Sequence, residues 1–378
     1  MVKSFSEIEL LPTLKDTLVE KGLSEPTEIQ ARVIPLLLKG ASVVGVSQTG
    51  SGKTLAYVLP VLHKLKSLEI AGKAVQVEAQ PRAVVMVPTR ELGEQVTRVF
   101  KPFTHNTRLR VRSALGGTTF EVSRRNIQGT FEVLVATPGR LAKLIEKQLL
   151  KLSDVQVLVF DEADQMLDPG FLPDANRIVE GCPPTVQMAL FSATISKQVK
   201  KLMDDLFLGV EMIRSENSNK TVATLKTENR KVINGKRLPL LDEVLKEKVR
   251  GGTLLFTNTR EQCDALSVEL EKRGIACVVY RGEMDKVKRR TNLKAFREGK
   301  VEFLISTDLA SRGLDIDHVG RVINYHLPQN LDNYLHRVGR TARAGRKGRV
   351  INFVTERDQP LIDEVAVMDP SAARVKST

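Results

Sequence analysis

Residues 42–54 read SVVGVSQTGSGKT, and the order of residue types along this stretch decides the fold. The β-branched run 42–46 predicts a short strand buried on both faces. The glycines at 50 and 52 permit a tight turn, and apolar residues from Leu55 onward predict a helix. Strand, glycine-rich loop and helix in that order form a phosphate-binding arrangement. In such a loop the residues Ser47, Gln48, Thr49, Gly50, Ser51 and Gly52 turn backbone N–H groups toward phosphate oxygens. The helix N-terminus adds its partial positive charge. Lys53 is expected to reach the β- and γ-phosphates, and Thr54 to hold Mg²⁺. ATP with Mg²⁺ is therefore the expected ligand. Position 47 is serine where the strict motif opens with glycine.

Hydrolysis also needs carboxylates for metal and water. DEAD at 161–164 directly follows a buried strand pattern at 155–160. A strand end places Asp161 at the carboxyl edge of the sheet, where open α/β sheets bind ligands. Asp161 is expected to hold Mg²⁺, and Glu162 to orient and deprotonate the attacking water. Further strands are expected at 83–87, 133–136 and 186–191, with a helix at 196–207. The second half repeats the alternation, with strands at 253–257, 276–280, 302–307 and 321–324 and helices at 261–272 and 286–298. Such alternation implies βαβ units and mainly parallel sheets. The polar run RSENSNK at 214–220 reads as a linker. The expected organisation is a first α/β domain at 1–213, a second at 221–358 and a short tail at 359–378. The tail has an amphipathic piece at 358–368 and a frayed end, DPSAARVKST.

The chain has 58 basic and 45 acidic residues, a net charge of +13, which favours a polyanionic partner. Aromatic residues are 4% and tryptophan is absent, so contacts to phosphate and sugar are expected to outweigh base stacking. Cys182, Cys263 and Cys277 are isolated, without C-x-x-C spacing, so neither a zinc site nor a disulfide framework is expected, and a reducing, cytoplasmic setting fits. No apolar run is long enough to span a bilayer, and the opening MVKSFSEIELLPTL does not read as a secretory signal.

With these motifs in hand, the sequence resembles the DEAD-box family of ATP-dependent RNA helicases, superfamily 2, over nearly its whole length. GLSEPTEIQ at 22–30 resembles the Q motif, with Phe5 upstream. PTRELGEQ at 88–95, GG at 116–117, TPGR at 137–140 and SAT at 192–194 follow in the family's order. So do LLFTNTR at 254–260, STDLASRGLD at 306–315 and HRVGRTARAG at 336–345. The resemblance implies two tandem RecA-like domains with the ATPase site in the cleft between them. It implies that Gln30 reads the adenine edge, with Thr27 nearby and Phe5 against the base. Arg340 and Arg343 resemble arginine fingers, and Asp315 a ribose contact. Asp164, Ser192, Thr194 and His336 resemble the network that couples ATP to domain closure. RNA contacts are implied for Thr89, Arg90, Gly117, Thr137 and Arg140, and for Arg289 and Thr307 in the second domain. The family also implies a monomer that makes sequence-independent contacts and takes specificity from partner proteins.

The sequence departs from the family pattern at three further places. Leu23 stands where the Q motif has an aromatic, Gly93 where PTRELA has alanine, and Lys286 where glutamine is usual. Two other readings stay open. One is an ATP-gated RNA clamp without turnover, and the other a DNA helicase or translocase built on the same domain pair.

Overall fold

The computed structural model describes residues 2–48, 50–166, 172–195, 197–207, 209–215, 225–308, 316, 318–342, 347–369 and 375–376. The chain divides into two compact units, Met1–Ser218 and Asn219–Thr378. Among the described residues each is built on a sheet of seven strands, parallel throughout, with helices between most successive strands. Both are RecA-like α/β units.

The first unit holds β1 (Val43–Val46), β2 (Ala83–Met86), β3 (Val111–Ala114), β4 (Val133–Ala136), β5 (Val157–Phe160), β6 (Gln187–Ser192) and β7 (Glu211–Arg214). Their order across the sheet is β3-β4-β2-β5-β6-β1-β7. Alternate residues of each central strand feed opposite layers. Val43 joins one core cluster with Val85, Val159 and Phe191, while Val44 and Val46 join the other with Val84, Leu158 and Leu190. Full burial on both faces is why these strands read as unbroken aliphatic runs. The order has a functional consequence. Strands β5, β6 and β1 are neighbours, so DEAD, SAT and the phosphate loop leave the sheet side by side. On the other side, β2, β4 and β3 deliver 88–90, 137–140 and 116–117 along the same edge.

The second unit holds β8 (Leu225–Lys231), β9 (Gly252–Phe256), β10 (Cys277–Tyr280), β11 (Phe303–Ser306), β12 (Val319–Asn324), β13 (Gly348–Val354) and β14 (Val375–Lys376). The order is β10-β11-β9-β12-β13-β8-β14. Sequence periodicity leaves five strands unassigned. Strands β3 and β7 lie at the sheet edges, where β3, VRSA, buries only Ala114 and β7 exposes most of its residues. Strand β8 reads LKTENRK yet buries Thr227, Glu228 and Asn229, so hydrophobic patterning cannot find it. Strand β13, GRVINFV, is an apolar run that the sequence reading passes over. The chain end expected to fray instead adds β14, which pairs with β8 at Asn229 and Arg230. The expected linker begins within the first sheet. Arg214 ends β7 and the Ser215 N–H donates to Val46 O at 3.0 Å, while 216–220 lie outside the described residues. No helix among the described residues is long and apolar enough to cross a membrane.

A buried polar row crosses the second sheet. Asn324, Asn352 and Asn229 are in register on β12, β13 and β8. Asn324 Nδ2 donates to Asn352 Oδ1 at 2.8 Å, and Asn352 Nδ2 to Asn229 Oδ1 at 2.7 Å. Arg337 closes the row, donating to Asn324 Oδ1 at 3.1 Å and to the His326 carbonyl at 2.6 Å. Burial, and then the charges of Arg237 and Arg337, hold the His326 imidazole down to about 4. Its unfolded value is near 6.5. Below that value the unfolded chain takes up a proton that the folded one refuses, so stability is lost as pH falls from about 6.5 to about 4. His326→Gln is expected to remove this component. Urea midpoints of wild type and variant should converge as pH is lowered from 7 toward 4.5, and a constant difference would count against it.

Candidate active site

The phosphate loop joins β1 to the helix Lys53–Ile70. Gly50 and Gly52 have φ of +87° and +91°, which other residues adopt only at a cost. At Gly52 space is closed too: a Cβ would lie 2.4 Å from Gln30 Nε2. Ser47, at the position of the missing glycine, is buried, and its Oγ lies 2.7 Å from Ser51 Oγ. A hydroxyl bond inside the loop thus occupies the place where the strict motif opens. The Ser47 N–H donates to Ser192 O on β6 at 3.0 Å. Lys53 is buried (6% exposed) and its Nζ donates to Ser47 O at 2.6 Å. That bond holds the ammonium over the loop.

Asp161 follows β5 and is 2% exposed. Burial and the neighbouring charge of Glu162 push its carboxyl up to about 6, against the opposing pull of Lys53 and a Tyr57 hydrogen bond. Tyr57 Oη donates to Asp161 Oδ2 at 2.7 Å, and the Thr54 side chain is near enough to act on the same hydroxyl. One buried phenol therefore holds one expected metal holder and neighbours the other. Its own ionisation is pushed well above 10 by burial, then by Asp161. Tyr57 is not marked by its local sequence, because LAYVLP reads as core. The available signal is its spacing, three residues past Thr54 on one helix face.

Glu162 has φ of +54° and is 5% exposed. Its Oε2 has no hydrogen-bond partner among the described residues. A positive φ at a non-glycine residue costs on the order of 1–3 kcal/mol, and such strain concentrates at working sites. Asp164 is bound differently. Its Oδ2 accepts from the N–H groups of Ala193 (3.1 Å) and Thr194 (3.0 Å) and from Thr194 Oγ1 (3.1 Å). Its N–H donates to Ser192 Oγ at 3.3 Å, and that hydroxyl donates to Thr194 O at 2.6 Å. DEAD and SAT are thus one hydrogen-bonded body.

The Q motif docks on the same loop. Gln30 Oε1 accepts from the Thr27 N–H at 2.9 Å and Gln30 Nε2 donates to Gly52 O at 2.9 Å. Thr27 caps the helix Glu28–Leu38. Phe5 is buried in the core with Ile8 and Leu10. Leu23 is exposed. Gly93 has a local setting: a Cβ there would lie 2.3 Å from a Leu115 methyl, so alanine at 93 would require the Leu115 side chain to shift.

The expected RNA-facing residues of the first unit converge at the other half of the sheet edge. Thr89 and Thr137 cap the helices Arg90–Thr107 and Pro138–Glu146. Thr137 Oγ1 accepts from the Gly116 N–H at 2.9 Å. Arg140 donates to the carbonyls of Thr118 (2.6 Å) and Thr119 (3.1 Å), which binds it to the loop after Gly117. Arg90 pairs with Glu94 at 2.8 Å. In the second unit Arg289 stacks over the Tyr280 ring, 4.6 Å to its centroid, and Thr307 is buried at the end of β11. His336 and Arg340 are buried at the end of the helix Leu331–Val338, where Arg340 Nε donates to His336 O at 3.1 Å. Thr49, Asp315 and Arg343 lie outside the described residues, as does the Lys286 side chain.

Two family models match the chain, DEAD/DEAH box helicase over residues 27–202 and Helicase conserved C-terminal domain over 236–345. The sequence is 34% identical over 365 residues to ATP-dependent RNA helicase RhlB of Actinobacillus succinogenes, covering 95% of this chain and 87% of that protein. The chain belongs to the DEAD-box RNA helicase family. It is 32% identical to RNA helicase CrhR of Synechocystis sp., covering 97% of this chain and 72% of that one. Other relatives are longer, and the chain spans 48–66% of their length. S. cerevisiae Dbp5 bound to RNA and ADP BeF3 superposes with a TM-score of 0.84 at 28% identity, covering 100% of this chain and 95% of Dbp5. The DEAD-box motifs account for the three parallel loops at the ends of β5, β6 and β1.

Proposed function

We propose that this chain is an RNA-stimulated ATPase that uses ATP hydrolysis to open short RNA duplexes or remodel RNA–protein complexes. The observation that carries the catalytic reading is Glu162. Its buried carboxylate has an uncommitted oxygen, sits next to Asp161, and is held there by a strained backbone. Gln30, Thr27 and Phe5 are assigned to the base, Asp315 to the ribose, and the loop 47–54 with Lys53 to the phosphates. Glu162 takes the proton of the attacking water as its oxygen bonds to phosphorus and the bond to the ADP oxygen breaks. Arg340 and Arg343 supply charge to the transferring phosphoryl group.

The residues present suit Mg²⁺, which prefers one or two carboxylates together with substrate phosphates. Thr54 and Asp161 would hold it, and when bound it neutralises charge on the β- and γ-phosphates. Tyr57 orders the Asp161 carboxylate beforehand. Tyr57→Phe is expected to leave nucleotide affinity in EDTA unchanged but to raise the Mg²⁺ concentration for half-maximal nucleotide binding several-fold. Titration of a fluorescent ADP analogue measures both, and an unchanged Mg²⁺ dependence would sink the positioning role.

RNA is assigned to Thr89, Arg90, Gly117, Thr137, Arg140, Arg289 and Thr307, chiefly through its backbone. We place the choice of RNA in partner proteins or attached segments, and we take the working form to be a monomer in a reducing compartment. If ATP and RNA favour the same arrangement of Asp164, Ser192, Thr194 and His336, each raises the other's affinity. The deciding experiment is the steady-state ATPase rate with and without single-stranded RNA, against DNA of matched sequence. Stimulation by RNA alone supports the reading. Equal stimulation by DNA would replace RNA with nucleic acid in general. ATP-dependent RNA binding without hydrolysis would leave a clamp.

A further inference from the structure

The helix Lys286–Arg297 and the three residues after it contain seven cations and one acid, Glu298. This short segment alone supplies nearly half of the chain's surplus of +13. Elsewhere in the second unit several arginines are matched by carboxylates: Arg281 by Asp264, Arg273 by Asp242 and Glu269, and Arg230 and Arg349 by Glu228 and Glu247. Within this segment the cations outnumber the acids seven to one. Its N-terminal acid, Asp285, is engaged as the cap, accepting from the N–H groups of Val287 and Lys288. Glu298 is shared between Lys300 at 2.7 Å and Lys294 at 3.7 Å.

The helix packs through Leu293 and Phe296 against the second unit's core. Its outward face carries Arg290, Lys294 and Arg297, all exposed, at spacings of four and three residues. These spacings form one stripe along the helix. The stripe runs about 10 Å at about 1.5 Å per residue. A stacked nucleic-acid strand places a phosphate about every 3.4 Å, so the stripe can face roughly three. It also begins next to Arg289, which is assigned to RNA above.

We propose that this stripe is an accessory phosphate track for RNA lying beyond the stretch held by the motif residues. The proposal rests on the RNA reading given above. It gives the excess charge of this helix a use, lengthening the footprint without base recognition.

The test is the triple variant Arg290→Gln, Lys294→Gln, Arg297→Gln in the full chain, with Lys21→Gln, Lys39→Gln, Lys73→Gln as a charge-matched control. The probes are uridine RNAs of about 6 and about 20 nucleotides, lengths that bracket common single-strand site sizes. Each is titrated by fluorescence anisotropy over a range of salt in the presence of an ATP analogue. The expected result is a loss of about tenfold in affinity for the long RNA in the stripe variant, with the short RNA and the RNA-free ATPase rate unchanged. The slope of log K against log salt for the long RNA should fall by about 2, since each phosphate contact on a single strand contributes about 0.7. An unchanged slope, or an equal loss in the control variant, overturns the track. Equal losses for both RNAs overturn its accessory placement. If wild type binds neither RNA, the RNA reading itself fails and the track falls with it.

Discussion

Glu162→Gln is expected to lower kcat for ATP hydrolysis by about 10² to 10⁴, the range that a positioned general base contributes. Glutamine has the same size, and its amide can occupy the same buried site, so nucleotide affinity should stay within a few-fold of wild type. What is lost is the carboxylate oxygen that has no partner among the described residues and is available to a water proton. The split between unchanged binding and lost turnover identifies the step, because removing a purely binding contact raises KM at constant kcat. Single-turnover hydrolysis and equilibrium nucleotide binding in the same buffer make the comparison. A kcat within threefold of wild type would remove Glu162 from the chemistry. The positive φ at this position should persist, since the residue is fixed between the end of β5 and the helical turn Ala163–Met166.

The fold and the place of the candidate site are legible in the sequence for one reason. Buried parallel strands must be aliphatic on both faces, and phosphate loops must place glycine where the backbone turns. Both demands are written as local residue patterns. The strands 42–46 and 155–160 locate Lys53 and Asp161 from residue type alone. What is illegible depends on contacts distant in sequence. Strand β8 is polar because Asn229 and Glu228 find partners on β13 and beyond, more than a hundred residues away. Tyr57 looks like core until Asp161, over a hundred residues later, arrives at its hydroxyl. The motif HRVGRTARAG suggests Arg340 and Arg343 as fingers by resemblance but says nothing of Arg337, its second residue.

Arg337→Ala is expected to destabilise the second unit by about 3 kcal/mol, within the range for removing one partner of a buried ion pair. The side chain is 1% exposed and satisfies an unusual number of groups. It pairs with both Asp308 oxygens, at 2.5 and 2.7 Å, and donates to Asn258 Oδ1 at 2.9 Å, to Asn324 Oδ1 and to the His326 carbonyl. It also lies over the Phe256 ring, 4.9 Å to the centroid. Alanine would leave these acceptors without their donor and open a large cavity. Asp308 retains some access to water, which keeps the expected loss from exceeding the pair's usual range. Arg337 joins Asp308, just after Thr307, to the helix that ends next to Arg340. Its removal should therefore also loosen the proposed RNA and phosphate contacts of this unit. Urea denaturation of the full chain reads the stability change. Loss of amide protection should be concentrated in 225–369. A double-mutant cycle with Asp308→Ala separates the pair from its surroundings, because a structural pair leaves the two losses non-additive. Additive losses, or a midpoint unmoved by Arg337→Ala, would mean that the buried guanidinium is replaceable by packing alone.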